Sequence, residues 1–136
     1  MNQSIERTTL SNLVANEEYC RKVLPFIKPD YFDVKEERVV FEEITNFVDK
    51  YKRIPTKISL EIEVESRKDL TQDQHTKIVE IIQTLDSTDV DMEWLVDTTE
   101  KFCKDKAIYN AIVDGISIID GKDKNRKPDA IPTILT

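Results

Sequence analysis

The sequence predicts an all-α protein, a compact multi-helix head followed by a projecting antiparallel helical hairpin. Three observations predict it. The 136 residues contain only two glycines, whereas β-rich folds of this size need many tight turns. Apolar residues recur at three- and four-residue steps through most of the chain, the spacing of one helix face. Side chains suited to capping a first turn stand ahead of these runs, at Ser4, Asn16, Asp33 and Thr71.

Ser4 opens a first helix with Ile5, Leu10, Leu13 and Val14 on its apolar face, ending near Ala15. Asn16 caps a short second helix, EEYCRKVL, whose two leading glutamates suit the positive end of the macrodipole. Pro25 and Pro29 then break the chain. Asp33 and Glu36 have the spacing of a capping box and open a long helix in which Val40, Ile44, Phe47, Val48 and Tyr51 share a face. It stops before Ile54-Pro55.

The stretch KISLEIEVES reads two ways. Ile58, Leu60, Ile62 and Val64 alternate with Ser59, Glu61 and Glu63, as in a half-buried strand. A lone strand would leave its ladder unpaired, and no second run of this kind occurs, so a short helix is the preferred reading. Thr71 and Gln74 form another capping box before a helix with Ile78, Ile81, Ile82 and Leu85 on one face.

From about Asp91 a helical pattern runs without proline to Gly121, a natural residue just past a helix end. Roughly 30 helical residues span about 45 Å, more than a small head needs, so this helix is expected to project. The head is therefore placed at residues 1–90 and the hairpin at 91–136. After a basic turn at Lys122, Lys124, Arg126 and Lys127, a returning helix starts near Asp129 and carries Ile131, Ile134 and Leu135. Its apolar, uncapped end predicts a segment cut from a longer chain.

Composition narrows the function. With 39% hydrophobic and 35% charged residues the chain is globular and rich in surface charge. A net charge of -7 works against binding of nucleic acid by this segment, because affinity for the phosphate backbone rests on positive charge. Cys20 and Cys103 read as reduced, buried thiols of a cytoplasmic protein. Neither a secretory leader nor a run of about 18 apolar residues occurs, which predicts a soluble protein without membrane contact.

His75 is the sole histidine, which removes catalytic and metal schemes that require two. The pairs Glu36/Glu37 and Glu42/Glu43 read as a solvated face. Neither glycine lies in a phosphate-binding frame, so no catalytic, metal or cofactor residue is assigned. What stands out is the last long helix. Leu95, Phe102, Tyr109, Ile112, Ile116 and Ile119 follow one another at seven-, seven-, three-, four- and three-residue steps, much like the a and d positions of a coiled coil. Ile108, Ala111 and Ile118 mark a second face. One face can pack on the returning helix; the other is free for a second copy or another protein.

These stretches, in this order, resemble the N-terminal domain of the DnaB-family replicative hexameric DNA helicases, in the form carried by T-even-type phages. The resemblance rests on LSNLVANEEYCRKVLPFIKPDYF, VVFEEITNFVDKYKRIP, WLVDTTEKFCKDKAIYNAI and DAIPTIL. Glu37-Arg38 stands where many bacterial members have a His-Arg pair, which favours the phage branch. The resemblance implies a collar domain without catalysis of its own, whose hairpins pair and build a trimer of dimers in a hexamer, and which docks primase and, in some systems, a helicase loader. It also implies a full-length ATP-dependent 5'-3' helicase whose motor, with ATP and Mg, lies beyond Thr136 and makes most of the DNA contact. The pairing candidates are Leu95, Phe102, Ile108, Tyr109, Ile112, Ile116 and Ile119, with Ile131, Ile134 and Leu135 on the returning helix. The alternative is a free-standing helical adaptor whose hairpin binds a different protein.

Overall fold

The computed structural model describes residues 4–119, and for Ile118 and Ile119 the backbone alone. The expected helix end at Gly121, the basic turn Lys122–Lys127 and the returning helix with Ile131, Ile134 and Leu135 lie outside the described residues. Those residues form six α-helices and no strand: α1 Ile5–Ala15, α2 Glu17–Val23, α3 Lys35–Tyr51, α4 Lys57–Glu65, α5 Gln72–Gln83 and α6 Met92–Ile119. Two 3-10 turns, Leu24–Phe26 and Pro29–Tyr31, carry the proline-broken stretch between α2 and α3. Each has its proline where a helix start tolerates the missing N–H. The fold is all-α, as the glycine count and apolar spacing predict.

The chain divides into two compact units, residues 1–100 and 101–136. In the first, α3 is the central helix and packs against α1, α4, α5 and the second 3-10 turn. Its Val40 and Ile44 are fully buried, and Phe41 meets Phe32 with ring centroids 5.1 Å apart. Leu10 and Leu13 of α1, Tyr19 and Val23 of α2, Ile78 and Ile82 of α5, and Leu95 of α6 are fully buried as well. The apolar stripe of each amphipathic helix thus meets in one core. The hydroxyl of Tyr19 lies 2.7 Å from that of Thr99, a buried polar pair joining α2 to the start of α6.

Most expected caps form. Ser4 Oγ accepts from the Arg7 N–H at 3.1 Å, and Asn16 Oδ1 from the Tyr19 N–H at 2.9 Å. Thr71 and Gln74 exchange side-chain bonds with each other's backbone N–H at 2.9 and 3.1 Å. α3 starts one residue later than the box expected at Asp33 and Glu36 requires. Val34 is the N-cap of α3 and makes no side-chain cap bond, so Glu36 is the second helical residue, one short of the position from which a box closes.

The ambiguous stretch is helix α4. Thr56 and Ser59 form a reciprocal capping box there, with serine in the place usually held by glutamate or glutamine. The alternation that mimicked a strand resolves into two helical rows: Leu60 and Val64 turn inward, while Ile58 and Ile62 are 71% and 56% exposed.

A second correction concerns the glutamates of α3. Glu37 and Glu43 do not belong to a solvated face but are buried. Arginines make this burial tolerable, since a buried charge needs a hydrogen-bonded partner. Arg7 Nε donates to Glu37 Oε2 at 3.1 Å and its Nη1 to Thr84 Oγ1 at 3.3 Å, which ties α1, α3 and the end of α5 together. Arg67 Nη1 donates to Glu42 at 3.1 Å and Glu43 at 3.0 Å. Its Nη2 donates to Asp69 at 2.8 Å.

Candidate functional site

Both cysteines are buried and neither forms a disulfide, as the sequence reading expects. Cys20 borders a cleft of roughly 600 Å³ lined also by Leu24, Pro25, Val48 and Ile54. Burial pushes its thiol up from 9.0 to about 11, with Glu17 adding to the rise, so at neutral pH it is a protonated and poor nucleophile. His75 lies in a different cleft, beside Glu65, Gln72, Thr76, Val79 and Glu80. The Thr76 hydroxyl in this cleft donates to the Gln72 carbonyl at 3.1 Å. The described residues hold no group of three or more His, Cys, Asp or Glu able to ligate a metal.

The distinctive surface is on α6. Asp91 Oδ1 accepts from the Trp94 N–H at 2.9 Å and starts the helix. No proline interrupts the 28 residues that follow. Over its first turns Leu95 is fully buried, and Phe102 and Cys103 are 9% and 5% exposed. From residue 108 the exposure reverses: Ile108 is 61%, Tyr109 60%, Ile112 52%, Val113 39% and Ile116 53% exposed. At 100° per residue these five fall within about 140° of arc, one stripe rather than scattered positions. The exposed ion pair Lys101–Asp105, 2.7 Å, borders the stripe on its N-terminal side. Lys106 stands over the Tyr109 ring, 5.9 Å from its centroid.

The ten sequence candidates therefore separate. Ile108, Tyr109, Ile112 and Ile116 come together on the open stripe, Leu95 and Phe102 are buried, and the side chains of Ile119, Ile131, Ile134 and Leu135 lie outside the described residues. Val113 joins the stripe and was missed, because the heptad-like steps select Tyr109 and Ile112 and pass over the position four after Tyr109.

The sequence model of the family described as "DnaB-like helicase N terminal domain" matches residues 1–95. The chain belongs to the DnaB-like helicase N-terminal domain family. A relative in the same lineage is the "DnaB-like replicative helicase" of Enterobacteria phage T4, 29% identical over 134 residues that cover 93% of this chain. They cover 28% of the phage protein, so the chain spans just over a quarter of that relative. The all-α fold is consistent with a DnaB-like N-terminal domain, as the resemblance implies. The family match stops at the buried Leu95, so the exposed stripe lies C-terminal to it.

Proposed function

We propose that this chain is the collar domain of a replicative DNA helicase and that the α6 stripe is its self-pairing surface. The carrying observation is the exposure of Ile108, Tyr109, Ile112, Val113 and Ile116 along one side of the helix that leads out of the region matching the DnaB-like N-terminal domain. Solvated isoleucines in a contiguous row are a mark of association. A stripe of this kind is self-complementary in an antiparallel, two-fold contact, in which the same patch serves on both copies. Covering three or four large side chains per copy contributes roughly 5–10 kcal/mol before the cost of association.

In this reading the domain performs no chemistry. Paired copies build a trimer of dimers that sets the geometry of a hexamer, and outward surfaces recruit a primase and a helicase loader. ATP and Mg would act in a separate motor domain responsible for 5'-3' unwinding and most DNA contact. The net charge of -7 supports that division of labour.

Sedimentation equilibrium of this chain over a hundredfold concentration range tests the pairing. A mass rising toward a dimer or hexamer is expected, and it should collapse to the monomer in Ile112→Asp. A wild-type mass that stays monomeric throughout would overturn α6 as a self-pairing surface.

A further inference from the structure

The head carries a second uncovered apolar row, on α4. Ile58 and Ile62 stand one turn apart, 71% and 56% exposed, while the opposite side of the same helix buries Leu60 and Val64. Helical geometry sets Glu61 and Glu65 along one border of this row, toward α5, and Glu63 along the other. Glu65 shares a cleft of roughly 540 Å³ with Gln72, His75, Thr76, Val79 and Glu80 of α5.

These glutamates differ from most acids of the head. The side-chain carboxylates of Glu61, Glu63, Glu65 and Glu80 make no hydrogen bond or ion pair to any described residue. Three nearby cations are committed elsewhere, Lys57 to Asp86 and the Gln83 carbonyl, Lys77 to Asp73, and Arg67 to Glu42, Glu43 and Asp69, while the exposed Lys68, three residues past Glu65, is not. Lys50 stands over the Tyr51 ring, 5.3 Å from its centroid. The isoleucine row is therefore framed by an excess of negative charge, four glutamates against Lys68.

We propose that the α4 face docks a basic amphipathic helix of another protein. The two isoleucines would receive its apolar side, and Glu61, Glu63, Glu65 and Glu80 would meet lysines or arginines flanking that side. Charge decides the occupant. A second copy laid face to face would set this acidic frame against itself, which like charges oppose. Backbone geometry decides the form, because the described head offers no strand edge to an extended segment, whereas a helix arrives with its own hydrogen bonds made. The inference is independent of pairing through α6.

The test titrates this chain with a labelled Leu/Lys amphipathic peptide of roughly 18 residues, using fluorescence anisotropy and amide chemical shifts. A scrambled peptide of equal composition and a Leu/Glu counterpart serve as controls. Binding of the Leu/Lys helix alone is expected, with shifts on α4 and α5. Affinity should fall about tenfold or more in the double variants Ile58→Ser/Ile62→Ser and Glu61→Lys/Glu65→Lys. All four positions are on the surface side of α4, so circular dichroism should be unchanged. Equal binding of the scrambled peptide, shifts confined to α6, unchanged affinity in both variants, or no binding would each overturn the proposal. So would loss of self-association in Ile58→Ser/Ile62→Ser, which would make a second copy the occupant.

Discussion

Lys52 ends α3 in the left-handed region, with φ 59° and ψ 30°, while its N–H still bonds the Val48 carbonyl at 2.8 Å. A side chain with a Cβ is strained there, and glycine is the usual occupant of such a helix end. Lys52→Gly should stabilise the protein by about 0.5–1 kcal/mol in urea unfolding, the relief being partly offset by greater freedom of the unfolded chain and loss of a cation near the helix C-terminus. Asp69 offers a sharper test. Its hydrogen bond to Arg67 holds the carboxyl down from 3.8 to about 2. Because the folded value lies below the unfolded one, the contribution is complete above about pH 4 and disappears as pH falls through about 2. An NMR titration should show the low value, and Arg67→Ala should return it to the ordinary carboxylate range. The left-handed lysine has no composition signal in the sequence; Arg67 and Asp69 stand only two positions apart, and what the sequence hides is that Arg67 is also held by Glu42 and Glu43, 25 and 24 positions away.

Among elements, helix starts were the most readable, since a cap and its partner sit within four residues of each other. Thr71→Ala should cost about 1 kcal/mol by removing a bond that is present. α3 is the exception, and it gives the opposite prediction. Val34 occupies the N-cap with no side-chain bond and is 46% exposed, so Val34→Ser should raise stability by about 0.5–1 kcal/mol in the same assay. The Asp33/Glu36 spacing misled by one residue, because the register of a box depends on which residue caps the helix, and that residue is Val34. α4 was ambiguous for a different reason. Its four apolar residues alternate in sequence yet divide between inside and outside, and tertiary packing of Leu60 and Val64 decides the matter. The preference for helix rested on the want of a partner strand, an argument about the whole chain and not about those ten residues.

For the molecule as a whole, the sequence revealed that α6 has more apolar surface than one packing face requires, but not which turns the rest of the chain covers. Periodicity names residues that share a face; it carries no information on what lies over that face at each turn. Leu95 and Ile112 belong to the same heptad-like series, yet one is fully buried in the first unit and the other is 52% exposed in the second. Substitutions at the two should therefore move different observables. Leu95→Ala removes packed methyl groups from the core and should lower unfolding stability by about 2–4 kcal/mol. Under native conditions it should leave the sedimentation mass near wild type. Ile112→Asp places a charge on a solvated stripe, where the intramolecular cost is within about 1 kcal/mol. Its effect should fall on association, with the dimer dissociation constant rising by about a hundredfold or more once the paired surface must bury an unpartnered carboxylate. Unfolding measured at a dilution where wild type is monomeric separates the two. If Ile112→Asp lost as much stability there as Leu95→Ala, the stripe would be part of a fold-bearing core and the pairing reading would fail. If it kept its stability and lost only its mass, the apolar excess of α6 would be accounted for by a second copy of the chain.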